Sequence, residues 1–195
     1  MGGTSFCIVG EQGAGKSTIA DYMKKKFPGH ERITSGQMWD RIVGRQLTHY
    51  ERTVVQKEIV AERGEGYFVD FVMKWIKGVR EKNPGRQFLV EGIRSREIFD
   101  ALRKYFGRGM LFIGVTADEK VRSGRLSARD SAEEKTSERE KIDGAQFDLR
   151  SMVRDCDVVI ANDFGDVESL YEKVESTLRE IGEDAKVPGV QDIHF

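Results

Sequence analysis

The chain has 195 residues, 38% hydrophobic and 33% charged, with 32 Lys and Arg against 33 Asp and Glu and a formal net charge of −1. That length suits one globular domain whose core needs neither a disulfide nor a structural metal, and the balanced charge argues against a nucleic-acid partner. No run of about 18 apolar residues exists, so no membrane span is predicted.

Cys7 and Cys156 lie far apart and in no metal-ligand spacing, and the opening MGGTSFCIVG lacks the regions of a secretory signal. Both features fit a reduced, cytoplasmic setting in which the thiols pack as small apolar groups. Five short runs then follow one another: Phe6–Val9, Arg32–Thr34, Phe88–Val90, Met110–Val115 and Val158–Ala161. Each leads through a polar or glycine-bearing segment into a helix-like stretch, the alternation of βα units on a parallel sheet. FCIV, FLV, MLFIGV and VVIA are apolar without alternation, as strands covered on both faces must be, whereas RIT is the weakest of the five.

Between the strands, apolar residues recur at helical spacing. Ile19, Tyr22, Met23 and Phe27 follow the first strand, and Phe68 to Val79 form a second stripe between the Gly64-Glu65-Gly66 break and Asn83-Pro84-Gly85. Ile98, Leu102 and Tyr105 form a third stripe, and Val167, Leu170, Val174, Leu178 and Ile181 the last. Core packing accounts for all of them. Residues 127–150 carry almost nothing apolar before Phe147, which reads as a solvated helix pair or loop projecting from the sheet. The tail 183–195 has no helical period and docks loosely at most.

Chemistry concentrates at three places. Gly10-Glu11-Gln12-Gly13-Ala14-Gly15-Lys16-Ser17 fits the phosphate-loop pattern G-x-x-x-x-G-K-S/T, directly after a strand and opening a helix. There, backbone N–H groups and the helix dipole face a phosphate, Lys16 supplies charge to the outer phosphates, and the Ser17 hydroxyl is placed to ligate Mg²⁺. The competing reading is a glycine-rich turn without a ligand. Second, Glu91-Gly92-Ile93-Arg94-Ser95-Arg96 follows the third strand, at the carboxyl edge where ligands of open parallel sheets bind. Glu91 there either binds Mg²⁺ through water or accepts a proton, and Arg94 and Arg96 either hold an acceptor phosphate or form surface ion pairs. Third, Arg122, Arg125 and Arg129 share one helical face that leads into the polar projection. They are either a solvated basic face or cations closed by a lid over a phosphoryl group in transit.

These stations resemble the adenylate-kinase-like nucleoside monophosphate kinases, and more closely the archaeal proteins described as adenylate-kinase-related or dephospho-coenzyme A kinase-like. GEQGAGKST, ending at Thr18, has the phosphate-loop form of that superfamily. ITSGQMWDR resembles ISTGDMLR, LVEGIRS resembles LLDGFPR, and RLSAR resembles R-I/L-x-x-R at the base of the lid. The resemblance implies that Gly10, Gly13, Ala14, Gly15, Lys16, Ser17 and Thr18 bind ATP. It also implies that Thr34, Ser35, Gly36, Arg41, Gly92, Arg94 and Arg96 surround the acceptor. CDVVIANDF resembles the last strand of dephospho-coenzyme A kinases, which brings Asn162 toward the adenine. Two positions depart from the pattern. Ser95 replaces the arginine that ends LLDGFPR, and Asp40 falls where the acceptor-side arginine belongs, next to Arg41. Arg139 and Arg150 stand in a poorly matching stretch for later lid arginines.

The expected architecture is therefore a three-layer α/β/α phosphate-loop kinase with a five-stranded parallel sheet in the order 2-3-1-4-5. An acceptor-binding helical insertion is expected over about 35–83 and a lid over about 127–150, both in one domain. The expected reaction is ATP- and Mg²⁺-dependent phosphoryl transfer to a small nucleotide-like acceptor, in the first place a nucleoside monophosphate, with Lys16, Glu91, Arg125 and Arg129 as catalytic groups. Dephospho-coenzyme A kinase-like activity is the nearest rival and needs a base, for which Asp21, Asp40 and Glu91 are the candidates. A nucleotide-binding switch or assembly ATPase is the rival from another class.

Overall fold

Ser5–Gly10 (β1) runs through the middle of a five-stranded parallel sheet, and all six of its residues are buried, which is why the stretch shows no polar alternation. The computed structural model describes residues 3–129 and 149–183. Glu31–Thr34 (β2), Phe88–Glu91 (β3), Met110–Thr116 (β4) and Val158–Ala161 (β5) complete the sheet in the order β2-β3-β1-β4-β5. Each expected strand is present to within a residue at either end. β2 is an edge strand in which only Ile33 is buried, so its sequence signal is weak for a physical reason.

Register aligns the carboxyl ends that matter. Glu91 lies opposite Ile8 of β1 on one side and Thr34 of β2 on the other. The chain leaves β1 toward β2 and leaves β3 toward β4, so the crevice of this sheet opens beyond the ends of β1 and β3.

Eight helices are described: Lys16–Lys26 (α1), Ser35–Val43 (α2), His49–Arg63 (α3), Glu65–Lys82 (α4), Arg96–Phe106 (α5), Glu119–Arg129 (α6), Leu149–Arg154 (α7) and Val167–Glu183 (α8). Alternate residues of β1 feed two separate cores. Phe6 and Ile8 pack with Leu89 and Ile113 against Ile19 and Met23 of α1 and Leu170 and Val174 of α8. Cys7 and Val9 pack with Val90 and Phe112 against Met38 of α2, Ile76 of α4, Phe99 of α5 and Met152 of α7. Each large apolar side chain so enclosed contributes about 1.5–3 kcal/mol, and the two cores hold helices to both faces of the sheet. Burial pushes both thiols up, Cys156 to about 12, so they stay protonated.

α2, α3 and α4 fill most of residues 35–82, the stretch read as an insertion. Thr34 and Thr48 cap α2 and α3 through reciprocal pairs with Gln37 and Glu51, and Gly64, at φ 77°, ends α3 and starts α4. Of the expected lid, residues 130–148 lie outside the described residues, as do residues 184–195 of the expected tail.

Candidate active site

Five residues separate the end of β1 from Lys16, the first residue of α1, and Gly13 and Gly15 take φ values of 74° and 98° in that turn. α1 begins without a side-chain cap and without an acidic residue in its first turn, unlike α3, where Thr48 and Glu51 fill both roles. Its leading N–H groups are therefore left for an anion, and the dipole favours one there. Lys16 folds back over the loop, its Nζ donating to the Glu11 carbonyl at 2.6 Å. Ser17 is exposed in the first turn, Thr18 is half-buried beside it, and Ala14 is buried beneath.

The floor of the loop is built by residues to which the resemblance gives other positions. Asn162, 3% exposed just after β5, donates Nδ2 to the Ala14 carbonyl at 2.8 Å. A Cβ at Gly15 would lie 2.2 Å from that nitrogen, so glycine is required there by space as well as by φ. The Asn162 Nδ2 and Oδ1 both bond within the protein, and through them the residue fastens the loop to the end of β5. Arg125 is its partner. From α6 it donates to the carbonyls of Asn162 and Phe164, each at 3.0 Å, and to the Asn162 Oδ1 and the Gly13 carbonyl, each at 3.4 Å. Arg125 thus braces the loop against the end of β5. Arg122, 8% exposed, donates to the Gln12 carbonyl at 3.4 Å and faces Glu11 at 3.7 Å, and Arg150 of α7 approaches Glu11 at 3.5 Å. The Arg129 side chain lies outside the described residues, as does Arg139.

Across the crevice, Ser35 and Gly36 at the start of α2 meet Gly92 and Arg94 beyond β3 in one cavity of about 120 Å³. Gly92 sits at φ 77°, and a Cβ on it would come within 2.8 Å of the Ser35 Oγ, so the two segments close up only with glycine between them. Trp39 and Phe68 stack at 4.1 Å, 5° from parallel, along the same cavity. Thr34 is spent on capping α2. Two candidate residues are elsewhere. Arg41 lies over the Trp75 ring at 4.0 Å, in an open cleft of about 550 Å³ beside β2, and Arg96 pairs with Asp100 and Asp155 on α5 and after α7. Helical periodicity explains the first: Arg41 is three residues on from Met38, yet its guanidinium reaches α4 and not the cavity.

Arg52 of α3 and Arg32 of β2 were not singled out from the sequence, and both pair with candidate bases. Arg32 donates Nε to Glu91 at 2.8 Å, makes a second contact to it through Nη2, and pairs with Asp21 at 2.5 Å. Arg52 pairs with Asp40 at 2.9 Å and lines the cavity of Ser35 and Arg94. Burial works against ionising Asp40, yet the Arg52 guanidinium and the Leu47 N–H outweigh it and hold the carboxyl below its ordinary range. Asp21, Asp40 and Glu91 are therefore all ion-paired. The available signal was the charge reversal at Asp40, which calls for an arginine close by in space.

No group of three or more His, Cys, Asp or Glu that would hold a metal exists among the described residues. Among the described residues the donors fit a Mg²⁺ ion carried on nucleotide phosphates with its own waters, which the Ser17 hydroxyl would help to hold.

Residues 7–147 match the family model described as an AAA domain. The chain belongs to that family. Its phosphate loop and fold are those of a P-loop kinase-like domain. A UPF0200 protein of Pyrobaculum aerophilum is 26% identical over 180 residues, spanning 90% of this chain and 97% of that one. Among solved structures, a shikimate kinase from Acinetobacter baumannii in complex with shikimate superposes with a TM-score of 0.58 at 15% identity, covering 91% of this chain and 94% of its own. A gluconokinase from Sinorhizobium meliloti gives 0.55 at 18% identity, with 93% and 95% covered. A Thermus thermophilus protein gives 0.62 at 17% identity, with 92% and 98% covered. These similarities establish the fold. Among the described residues no helix is long and apolar enough to cross a membrane.

Proposed function

We propose that the chain transfers the γ-phosphoryl group of ATP to a small nucleotide-like acceptor, in the first place a nucleoside monophosphate. One observation carries this reading: the phosphate loop and the Ser35–Arg94 cavity flank the same carboxyl ends of β1 and β3, as a donor site and an acceptor site must. Gly13 to Thr18 cradle the donor phosphates with backbone N–H groups, and Lys16 leaves the Glu11 carbonyl to meet their outer oxygens. Mg²⁺, held by those phosphates, water and Ser17, supplies neutralising charge when bound. Asn162 and Arg125 keep the loop rigid, so the N–H groups need no reorganisation as the reaction proceeds.

The chemistry of the acceptor side favours a phosphate over a hydroxyl. Attack by an alcohol calls for a base with a free oxygen turned to it, and each candidate carboxylate near the crevice is already engaged by an arginine. A phosphate oxygen is already ionised and needs none.

Labelled ATP with Mg²⁺, the four common nucleoside monophosphates, dephospho-coenzyme A and shikimate tests the proposal. Label is expected on a monophosphate, and Lys16→Ala should abolish the transfer without changing the fold. Transfer confined to dephospho-coenzyme A or shikimate would move the assignment to a hydroxyl acceptor. ATP hydrolysis indifferent to every acceptor would overturn it in favour of a nucleotide-dependent switch.

A further inference from the structure

The cavity at the start of α2 contains a guanidinium presented in an unusual way. Arg52, in the first turns of α3, reaches across to α2 and gives Nε to Asp40 at 3.2 Å and Nη2 at 2.9 and 3.1 Å. Asp40 is itself fixed, its Oδ1 accepting from the Leu47 N–H at 3.0 Å. This fork is anchored from three sides: by α2, by the segment before α3, and by α3. It uses one edge of the guanidinium and leaves the other. The Nη1 amine makes no hydrogen bond among the described residues and lies over Gly36, where a Cβ would come within 3.0 Å of both Nη1 and Cζ.

Arg52, Arg94, Ser35 and Gly36 line one small cavity. Donors of this kind match a phosphate monoester, because planar guanidinium edges suit its oxygens. An uncharged sugar would leave the cationic edge without a counter-charge. The remaining wall, formed by Trp39 stacked on Phe68, suits a flat ring and not another anion.

We infer that Arg52 anchors the anionic group of the acceptor, and that Asp40 is a positioning residue that holds the free edge of Arg52 toward the cavity. The inference rests on the phosphotransfer reading and adds to it the residue that holds the acceptor's phosphate. Asp40 has no contact with the acceptor in this scheme, so its whole effect passes through Arg52.

The test is calorimetric titration of the full chain, saturated with a non-hydrolysable ATP analogue, with each of the four nucleoside monophosphates and the corresponding nucleosides. Arg52→Ala should weaken the monophosphate by about 30-fold or more, as expected for loss of a charged hydrogen bond, while nucleoside and ATP-analogue affinities hold. Arg52→Lys, which keeps the charge but not the fork, should fall between the two. Asp40→Asn should cost about 5-fold in the Arg52 background and nothing further once Arg52 is alanine, the non-additivity of a residue acting through its neighbour. Should Arg52→Ala lose helix content, Arg52→Lys carries the comparison. Unchanged discrimination between monophosphate and nucleoside, or additive losses in the double variant, would overturn the inference. If wild type phosphorylates none of the panel, the kinase reading fails separately, and inorganic phosphate decides about Arg52. Binding lost in Arg52→Ala sustains the anion site, and binding equal in both proteins, or absent from wild type, removes it.

Discussion

Asn162 donates its side-chain amide to the carbonyl of Ala14 at 2.8 Å and so ties the exit of β5 to the phosphate loop, 148 residues earlier in the chain. A buried acceptor stripped of its donor costs about 1–3 kcal/mol, and here the strain would fall on the loop itself. Asn162→Ala should therefore lower stability by about 2 kcal/mol and weaken ATP-analogue binding in the same protein. Asn162→Asp should be worse, since it sets a carboxylate against a carbonyl and near the donor phosphates. Thermal melts with and without the analogue check both; unchanged nucleotide affinity in Asn162→Ala would separate the amide from the loop.

Arg125→Ala should behave as loss of a brace. The half-buried guanidinium serves four oxygen atoms, on Gly13, Asn162 and Phe164, so its removal is expected to cost about 3 kcal/mol. For a domain of this size that is a fall in Tm of about 6–12 °C. ATP affinity and kcat/KM should drop together, because the loop is loosened before any reaction begins. A loss confined to kcat would return Arg125 to the part of a lid residue.

The central strands were legible because parallel strands buried on both faces must be apolar throughout, and FCIV, FLV and MLFIGV are, whereas their order came with the family resemblance. β2 was faint because an edge strand with one buried residue needs no such run. The phosphate loop was legible because its chemistry is local: glycines, Lys16 and Ser17 sit on one turn. The resemblance set Ser35 and Gly92 around one acceptor, and the two line one cavity. What the sequence hid is the pairing of distant charges. Arg52 and Asp40 are twelve residues apart on different helices, and Arg32 meets Glu91 across fifty-nine, separations at which no periodicity operates. Asn162 was read toward the adenine from the resemblance of CDVVIANDF alone, which carries no information on its bonds to the Ala14 carbonyl and to Arg125.

Glu91 is 5% exposed and depends on Arg32 as its counter-ion. Removing one partner of such a pair strands a charge in a poorly solvated place, at a cost of about 3 kcal/mol. Arg32→Ala should thus destabilise the protein strongly. Glu91→Gln, added to it, should recover part of the loss by removing the stranded charge. Urea denaturation of the two single variants and the double variant gives the cycle. No recovery in the double variant would mean that Glu91 is solvated well enough to stand alone, and would restore it as a carboxylate available for Mg²⁺ water or for a proton.

Acid should loosen α3 before it reaches the cores. Glu51 is held down to about 2, from an ordinary 4.5, first by the Arg45 guanidinium at 2.7 Å and then by the N–H and hydroxyl of Thr48. A carboxyl depressed on folding stabilises fully above its unfolded value, so this contribution is complete above pH 4.5 and fades as pH falls toward 2. Glu51→Gln keeps a hydrogen-bond acceptor at the cap but loses the charge. Its melting temperature should lie below that of wild type at pH 7 and converge with it near pH 2. The Arg45–Glu51 pair is open to solvent, so added salt should narrow the gap at neutral pH. The consequence reaches the acceptor cavity, because Arg52 directly follows Glu51 and its N–H donates to the Thr48 carbonyl at 3.1 Å within the same first turn. A frayed cap would let the Arg52 backbone wander while Asp40 still grips its side chain. Glu51→Gln should therefore raise the acceptor KM more than the ATP KM, and equal effects on both would show that the cap and the cavity are uncoupled.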